Sequence, residues 1–272
     1  MAEALEALDA LGQVPDAELD LANAALQLAR ADLPDRDWEA AQAHLSQVAR
    51  DAAALGRADG AGARAEALSG LLAGRHRYRG DSEGYNDLAN ANLIRVIERR
   101  RGLPVALGIL WMHAARAAGW DAQGLDFPAH FLVGLGGVGG QAVVDPFNRG
   151  RVLDAARQQD LMEKVAGPGE RMHPALLAPV SDRAVLVRLQ NNVKLRRLQK
   201  NDYAGALVCI EHTVRVVPGA AGLWREAALL RERLGQVAAA IAAWERFLAL
   251  GPPDELAAQA RTVAAALRTR LN

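Results

Sequence analysis

His130, in "FPAHFLVG", and Asp145, in "VVDPFNRG", are the residues whose types and spacing most suggest chemistry. A carboxylate beside an imidazole fixes its tautomer and orientation, which is the base-and-orienter half of a nucleophilic triad. The same pair can equally be two polar groups satisfying each other on a buried sheet. A triad needs a third member. A thiol at a helix N-terminus would serve, activated by the helix dipole and a neighbouring histidine. The stretch "RRRGLPVALGILWMHAARAAG" supplies such a helix, opening at Gly102–Pro104 and ending at Gly119, but its first turn reads Leu103, Pro104, Val105, Ala106. No Ser, Thr or Cys occurs from Glu83 to Val180. The only cysteine, Cys209, lies among Ala206, Leu207 and Ile210 at packing positions of a later helix and reads as a small buried apolar residue.

Weaker signals surround this pair. His113 sits on the apolar helix, near Ile109 and Arg116, as a core or rim histidine; His173 precedes Pro174 in a loop. A zinc site from His113, His130 and Asp145 has suitable donor types. It lacks any HExxH-like spacing, so no metal is expected. "GLGGVGG" joins two strand-like runs instead of opening a helix, so it is not a phosphate loop, and no cofactor is expected. Arg95, Arg99, Arg100 and Arg101 cluster where one helix ends. Arg99 and Arg100 there would cap free carbonyls and pair with a carboxylate, at least one of them substantially buried.

These residues need elements to position them. "HFLVGL" and "QAVVD", separated by "GGVGG", predict a β-hairpin. A turn centred between Gly137 and Val138 would set Phe131 opposite Val144 and His130 opposite Asp145, within contact distance on one face. Residues 1–76 read as helices; "DRDWEAAQAHLSQVARDAAAL" spaces Trp38, Ala41, Leu45, Val48, Ala52 and Leu55 along one face. Asp16 and Asp35 suit helix starts. From about residue 181 the chain is helical with an offset of 34: Leu189 recurs as Leu223, Arg197 as Arg231, Ala206 as Ala240, Glu211 as Glu245 and Pro218 as Pro252. This resembles the tetratricopeptide repeat, with units 187–220 and 221–254 and a closing helix over 254–271. Two units are fewer than a free-standing array needs, so they are expected to lean on the preceding domain.

Composition bounds the whole. With 272 residues, 51% of them apolar, the chain can bury one large core or two ordinary ones. Lys+Arg and Asp+Glu are 32 each, which argues against a nucleic-acid binder. "MAEALEALDALGQ" does not read as a signal peptide, and no apolar run reaches the roughly 18 residues of a membrane span. A cytoplasmic protein without membrane contact is expected.

Taken in order, "YNDLANANLIRVIERRRGLPVAL", "FPAHFLV" and "VVDPFNRG", followed by tetratricopeptide-like helices, resemble the bacterial SirB family, which joins a transglutaminase-like domain to a short tetratricopeptide tail. The matching positions are Tyr85, Asp87, Asn90, Leu93, Val96, Arg99, Arg100, Gly102, Pro104, Phe127, Pro128, His130, Phe131, Asp145, Pro146 and Phe147. Arg188, Asn192 and Lys194 fit the lead into the repeats. The departures are Leu88 for Pro, Ala129 for Gly, and Ala106 where the family often has a small hydroxyl residue. The resemblance covers roughly residues 80–260, and the first 75 residues fit loosely.

The resemblance implies an α+β fold. Helix-rich N-terminal residues join a papain/transglutaminase-like core with a small antiparallel sheet over 1–180, and an all-α tetratricopeptide-like tail follows over 181–272. It also implies that the nucleophile position falls on Pro104, which has no reactive group and no N–H for an oxyanion hole. His130 and Asp145 then form a vestigial catalytic pair. The expected function is a non-catalytic protein-binding or regulatory module. Asn90, Arg99, Arg100, Arg188, Asn191 and Arg225 are its binding residues, and a protein or acidic peptide is its partner on the repeat face. Two alternatives stand beside it: an amidase, peptidase or acyltransferase using His130 and Asp145 to activate water, and a structural scaffold.

Overall fold

The computed structural model describes residues 2–271. In chain order it begins with α1 (Ala2–Gln13), α2 (Leu21–Asp32), α3 (Trp38–Ala53) and α4 (Ala61–Ser69), followed by β1 (Arg79–Gly80) and α5 (Leu93–Arg99). Next come β2 (Arg101–Gly102), α6 (Pro104–Ala117), β3 (Ala122–Leu125), β4 (Leu132–Gly137), β5 (Gly140–Asp145), β6 (Arg151–Val152), α7 (Ala155–Ala166) and β7 (Pro179–Val180). Five helices close the chain: α8 (Asp182–Gln199), α9 (Tyr203–Val216), α10 (Ala221–Arg233), α11 (Val237–Ala249) and α12 (Asp254–Leu271). Contacts divide the chain into two compact units, Pro15–Leu189 and a second that joins α1 to everything from Gln190 onward; the division falls within α8.

In the first unit α6 is the central helix. Apolar residues surround it, so it is buried from Pro104 to Met112. It packs against α3 on one side and β3 and β4 on the other. Pro104 occupies its first turn, where a missing N–H costs nothing. Gly119, in the left-handed region with φ +73°, follows its C-terminus as expected. The sheet runs β6-β5-β4-β3-β7, antiparallel throughout. Only the β4–β5 hairpin was predicted; the other strands have two to four residues, too few for alternation to be read. Helix starts differ in detail as well. Asp20 caps α2 through the Asn23 amide at 3.0 Å and Asp37 caps α3 through Ala40 at 2.9 Å, in place of Asp16 and Asp35.

The second unit is all-helical, with α9, α10, α11 and α12 packed in sequence. Several positions paired by the offset are buried in it: Ala206 and Ala240, Ile210 and Trp244, and Leu223. Support for the short repeat comes from the chain's first helix. α1 packs on α9, burying Ala4 and Leu8. At Gly12 the approach is so close that a Cβ would lie 2.0 Å from the Arg215 carbonyl oxygen.

Candidate functional site

The hairpin register is shifted by two residues from the expected one. Val133 pairs with Val144 and Gly137 with Gly140, so the turn centres between Val138 and Gly139. Gly139 and Gly140 carry φ of +91° and +123°, which selects that position. A two-residue shift leaves every side chain on its expected face. His130 therefore lies just ahead of β4, diagonal to Asp145 instead of opposite it, and its Nε2 still reaches Asp145 Oδ1 at 2.9 Å. Both side chains are buried, Asp145 at 1% exposure.

Asp145 accepts three more hydrogen bonds from the turn that follows it. The Phe147 and Asn148 amides donate at 3.0 and 3.3 Å, and Asn148 Nδ2 donates at 2.6 Å. Burial pushes the carboxyl pKa up, but the His130 bond and charge and the Asn148 bonds outweigh it and hold the group below its ordinary value. Asp145 is thus an anion fixed in place. With Nε2 turned to Asp145, Nδ1 of His130 is left without a partner among the described residues. Phe147 stands edge-on to the imidazole at 6.0 Å and to the Tyr85 ring at 5.9 Å. Gly80 makes room for it, since a Cβ there would meet the Phe147 ring at 2.6 Å.

The loop carrying His130 is held from two sides. Gly108 of α6 lets the Phe131 ring pack directly on the helix; a Cβ would lie 2.4 Å from it. Arg188 of α8 donates to the carbonyls of Phe127 (2.7 Å) and His130, and pairs with Asp126. Arg188, expected from sequence as a binding residue, lies under the His130 loop. Ala129, next to His130, sits in the left-handed region at φ +52°, where glycine is the unstrained choice. Pro104, the expected nucleophile position, is buried, with Leu103, Val105 and Ala106 each at most 2% exposed beside it.

Three more of the expected binding residues, Asn90, Arg99 and Arg100, brace the entry to α6. Arg99 Nη2 donates to the buried Asp81 at 2.9 Å and Nη1 to Asn90 Oδ1 at 3.2 Å. Asn90, fully buried, donates to the Gly84 carbonyl at 2.7 Å, while its own carbonyl receives the Leu103 amide at 2.9 Å. Burial raises the Asp81 pKa, yet the Gly84 amide, Asn90, Arg99 and Arg101 bring it below its ordinary value. Arg100 takes the left-handed conformation at the end of α5, φ +58°, and its side chain reaches Tyr78 Oη at 2.6 Å and His44. Arg99 and Arg100 are each half-buried.

Asn191 and Arg225 belong to the second unit. Asn191 accepts from Lys194, and Arg225 is half-buried. His113 Nε2 donates to the Leu45 carbonyl at 3.0 Å, and His173 Nδ1 accepts the Ala175 amide at 3.2 Å as a cap. Cys209 is buried against Gln190, Sγ to Oε1 2.9 Å. Sequence reasoning missed Asn148, although an Asn three residues beyond an Asp is a turn signal that points back at its carboxylate.

A profile of the transglutaminase-like superfamily matches residues 39–191, and a tetratricopeptide repeat profile matches residues 193–272. A UPF0162 protein of Xylella fastidiosa (strain 9a5c) is 30% identical over 90% of this chain and 88% of its own length. The chain belongs to this family, a transglutaminase-like domain followed by tetratricopeptide repeats. A UPF0162 protein of Vibrio cholerae is 28% identical over 92% of this chain and 93% of its own. F-box only protein 21 of Mus musculus is 25% identical over 47% of this chain and 21% of its own length. No solved structure matches. No helix among the described residues is long and apolar enough to cross a membrane.

Proposed function

We propose that this protein is a non-catalytic, regulatory member of the transglutaminase-like superfamily that binds a protein partner, acidic in character, through its helical repeats. A transglutaminase-like domain joined to such repeats suggests protein interaction. The observation that carries the non-catalytic reading is the first turn of α6. Its residues Leu103 to Ala106 are buried and hold no thiol or hydroxyl, and Pro104 removes an N–H where an oxyanion would need one. His130 and Asp145 keep a base-and-orienter geometry with nothing to activate, and their hydrogen bonds give them a structural role. On the repeats Arg225 is a cation without an ion pair among the described residues, suited to an acidic segment.

A second reading has one observation in its favour: the partnerless Nδ1 of His130, which could take a proton from a water molecule. Two comparisons separate the readings. Capture of partner proteins from native extract should weaken with Arg225→Glu and persist with His130→Ala. Amide or ester hydrolysis that disappears with His130→Ala would overturn the non-catalytic reading, and capture indifferent to Arg225→Glu would overturn the role of that arginine.

A further inference from the structure

A cavity of about 500 Å³ opens within the second unit, a volume typical of small-ligand sites. α1, α9, α10 and α11 contribute to its wall, which carries three arginines and two carboxylates. Two of the arginines are neutralised. Arg215 donates to Asp9 at 2.6 Å and Arg231 to Glu211 at 2.9 Å. Arg246 has no carboxylate among the described residues; its guanidinium lies 5.6 Å from the Trp224 ring centroid. Arg231 also keeps its Nε buried without a hydrogen-bond partner, while its other arm holds the Ala239 carbonyl at 3.1 Å. The cavity therefore has one positive charge in excess. Beside these polar groups lie the Trp224 ring, Val214, Pro218 and Ala227.

A single negative charge with a planar pair of acceptors matches a guanidinium fork. The neighbouring apolar wall asks for an apolar body attached to that charge. We propose that this cavity binds a carboxylate carried on an apolar group, either an acylated amino acid or the C-terminal residue of a peptide. Arg246 anchors the carboxylate, and Trp224 receives the apolar part. α1 forms one wall, and Gly12 sets its distance from the others, because any side chain there would strike the Arg215 carbonyl. The proposal goes beyond partner binding through Arg225 and leans on that reading only for its peptide arm.

Calorimetric titration of the full chain tests it with four probes: N-acetyl-leucine, N-acetyl-leucinamide, and a short leucine-terminated peptide as free acid and as amide. The expected result is binding of at least one free acid, with its amide weaker by about tenfold or more. Arg246→Gln should cause the same loss and Arg246→Lys a smaller one. Arg246 is exposed, so these variants should melt like the parent. Binding of the small acid assigns the site to a free ligand, and binding of the peptide alone assigns it to a chain terminus. Absence of binding by either acid, equal binding of acid and amide, or affinity unchanged by Arg246→Gln would overturn the proposal. So would displacement of the acid by equimolar inorganic phosphate, which would mark an unselective anion site.

Discussion

Asp145 accepts four hydrogen bonds while 1% exposed, so its removal strands the buried His130 and takes the acceptor from the half-buried Phe147 amide and the exposed Asn148. Asp145→Ala should cost about 3 kcal/mol in urea denaturation, because a buried charged acceptor is lost and His130 stays buried without it. Asn148→Ala removes one charge-assisted bond and should cost less, about 1.5 kcal/mol. Ala129 carries the opposite expectation. Its φ of +52° is strained for a residue with a Cβ. Ala129→Gly should therefore raise stability by about 0.5–1 kcal/mol, the left-handed penalty less the extra freedom of glycine in the unfolded chain. The resemblance marked Ala129 as a departure from the family's glycine; the left-handed turn that aims His130, which asks for a glycine there, was not legible in the sequence. The His130–Asp145 contact was legible from residue types, yet the register that produces it was misread. A stretch with glycines on both sides of Val138 offers two turn positions, and the left-handed Gly139 and Gly140 decide between them.

Elements hold a second titratable group apart from the site. α3 brings His44 and Asp51 to the turn bearing Arg75 and His76, with Tyr78 and Arg100 closing the cluster. Burial, with the charge of Arg100 and the neighbouring His76, pushes the His44 pKa down to about 4, against the pull of Asp51. Burial lowers His76 as well, opposed first by Asp51. Burial drives the Tyr78 hydroxyl up to about 12 despite Arg100. The folded state thus keeps His44 neutral where the unfolded chain protonates it below about 6.5. Stability should be full above that pH and fall as the pH drops from about 6.5 toward 4, since the unfolded state then binds more protons. The melting temperature across that range checks this: the parent should lose more than a His44→Gln/His76→Gln variant, and parallel curves would contradict it. Helical periodicity made α3 legible, along with the packing of Leu45, Val48 and Ala52. It could not show that His44, on the flank of that face, meets Arg100 from a helix that ends more than fifty residues later.

For the whole molecule, sequence distance hid the largest feature. The repeats were legible from recurring Leu, Ala and Pro, and two units were too few to stand alone. The helix that completes them is α1, at the other end of the chain, with nothing in its local pattern to say so. Leu8, fully buried against that unit, is the measure of its contribution. Leu8→Ala should cost about 2–4 kcal/mol, seen as faster hydrogen exchange in α9 and α10 with α6 unchanged. The proposed non-catalytic reading rests on α6 itself, where the expected nucleophile position is the buried Pro104. Its most direct measurement is intact-mass analysis of the full chain after incubation with activated amide and ester acyl donors, followed by peptide mapping. The account predicts no covalent acyl adduct on any residue and no hydrolysis that depends on His130. An acyl group trapped on Cys209 or any other side chain, or hydrolysis abolished by His130→Ala, would contradict it.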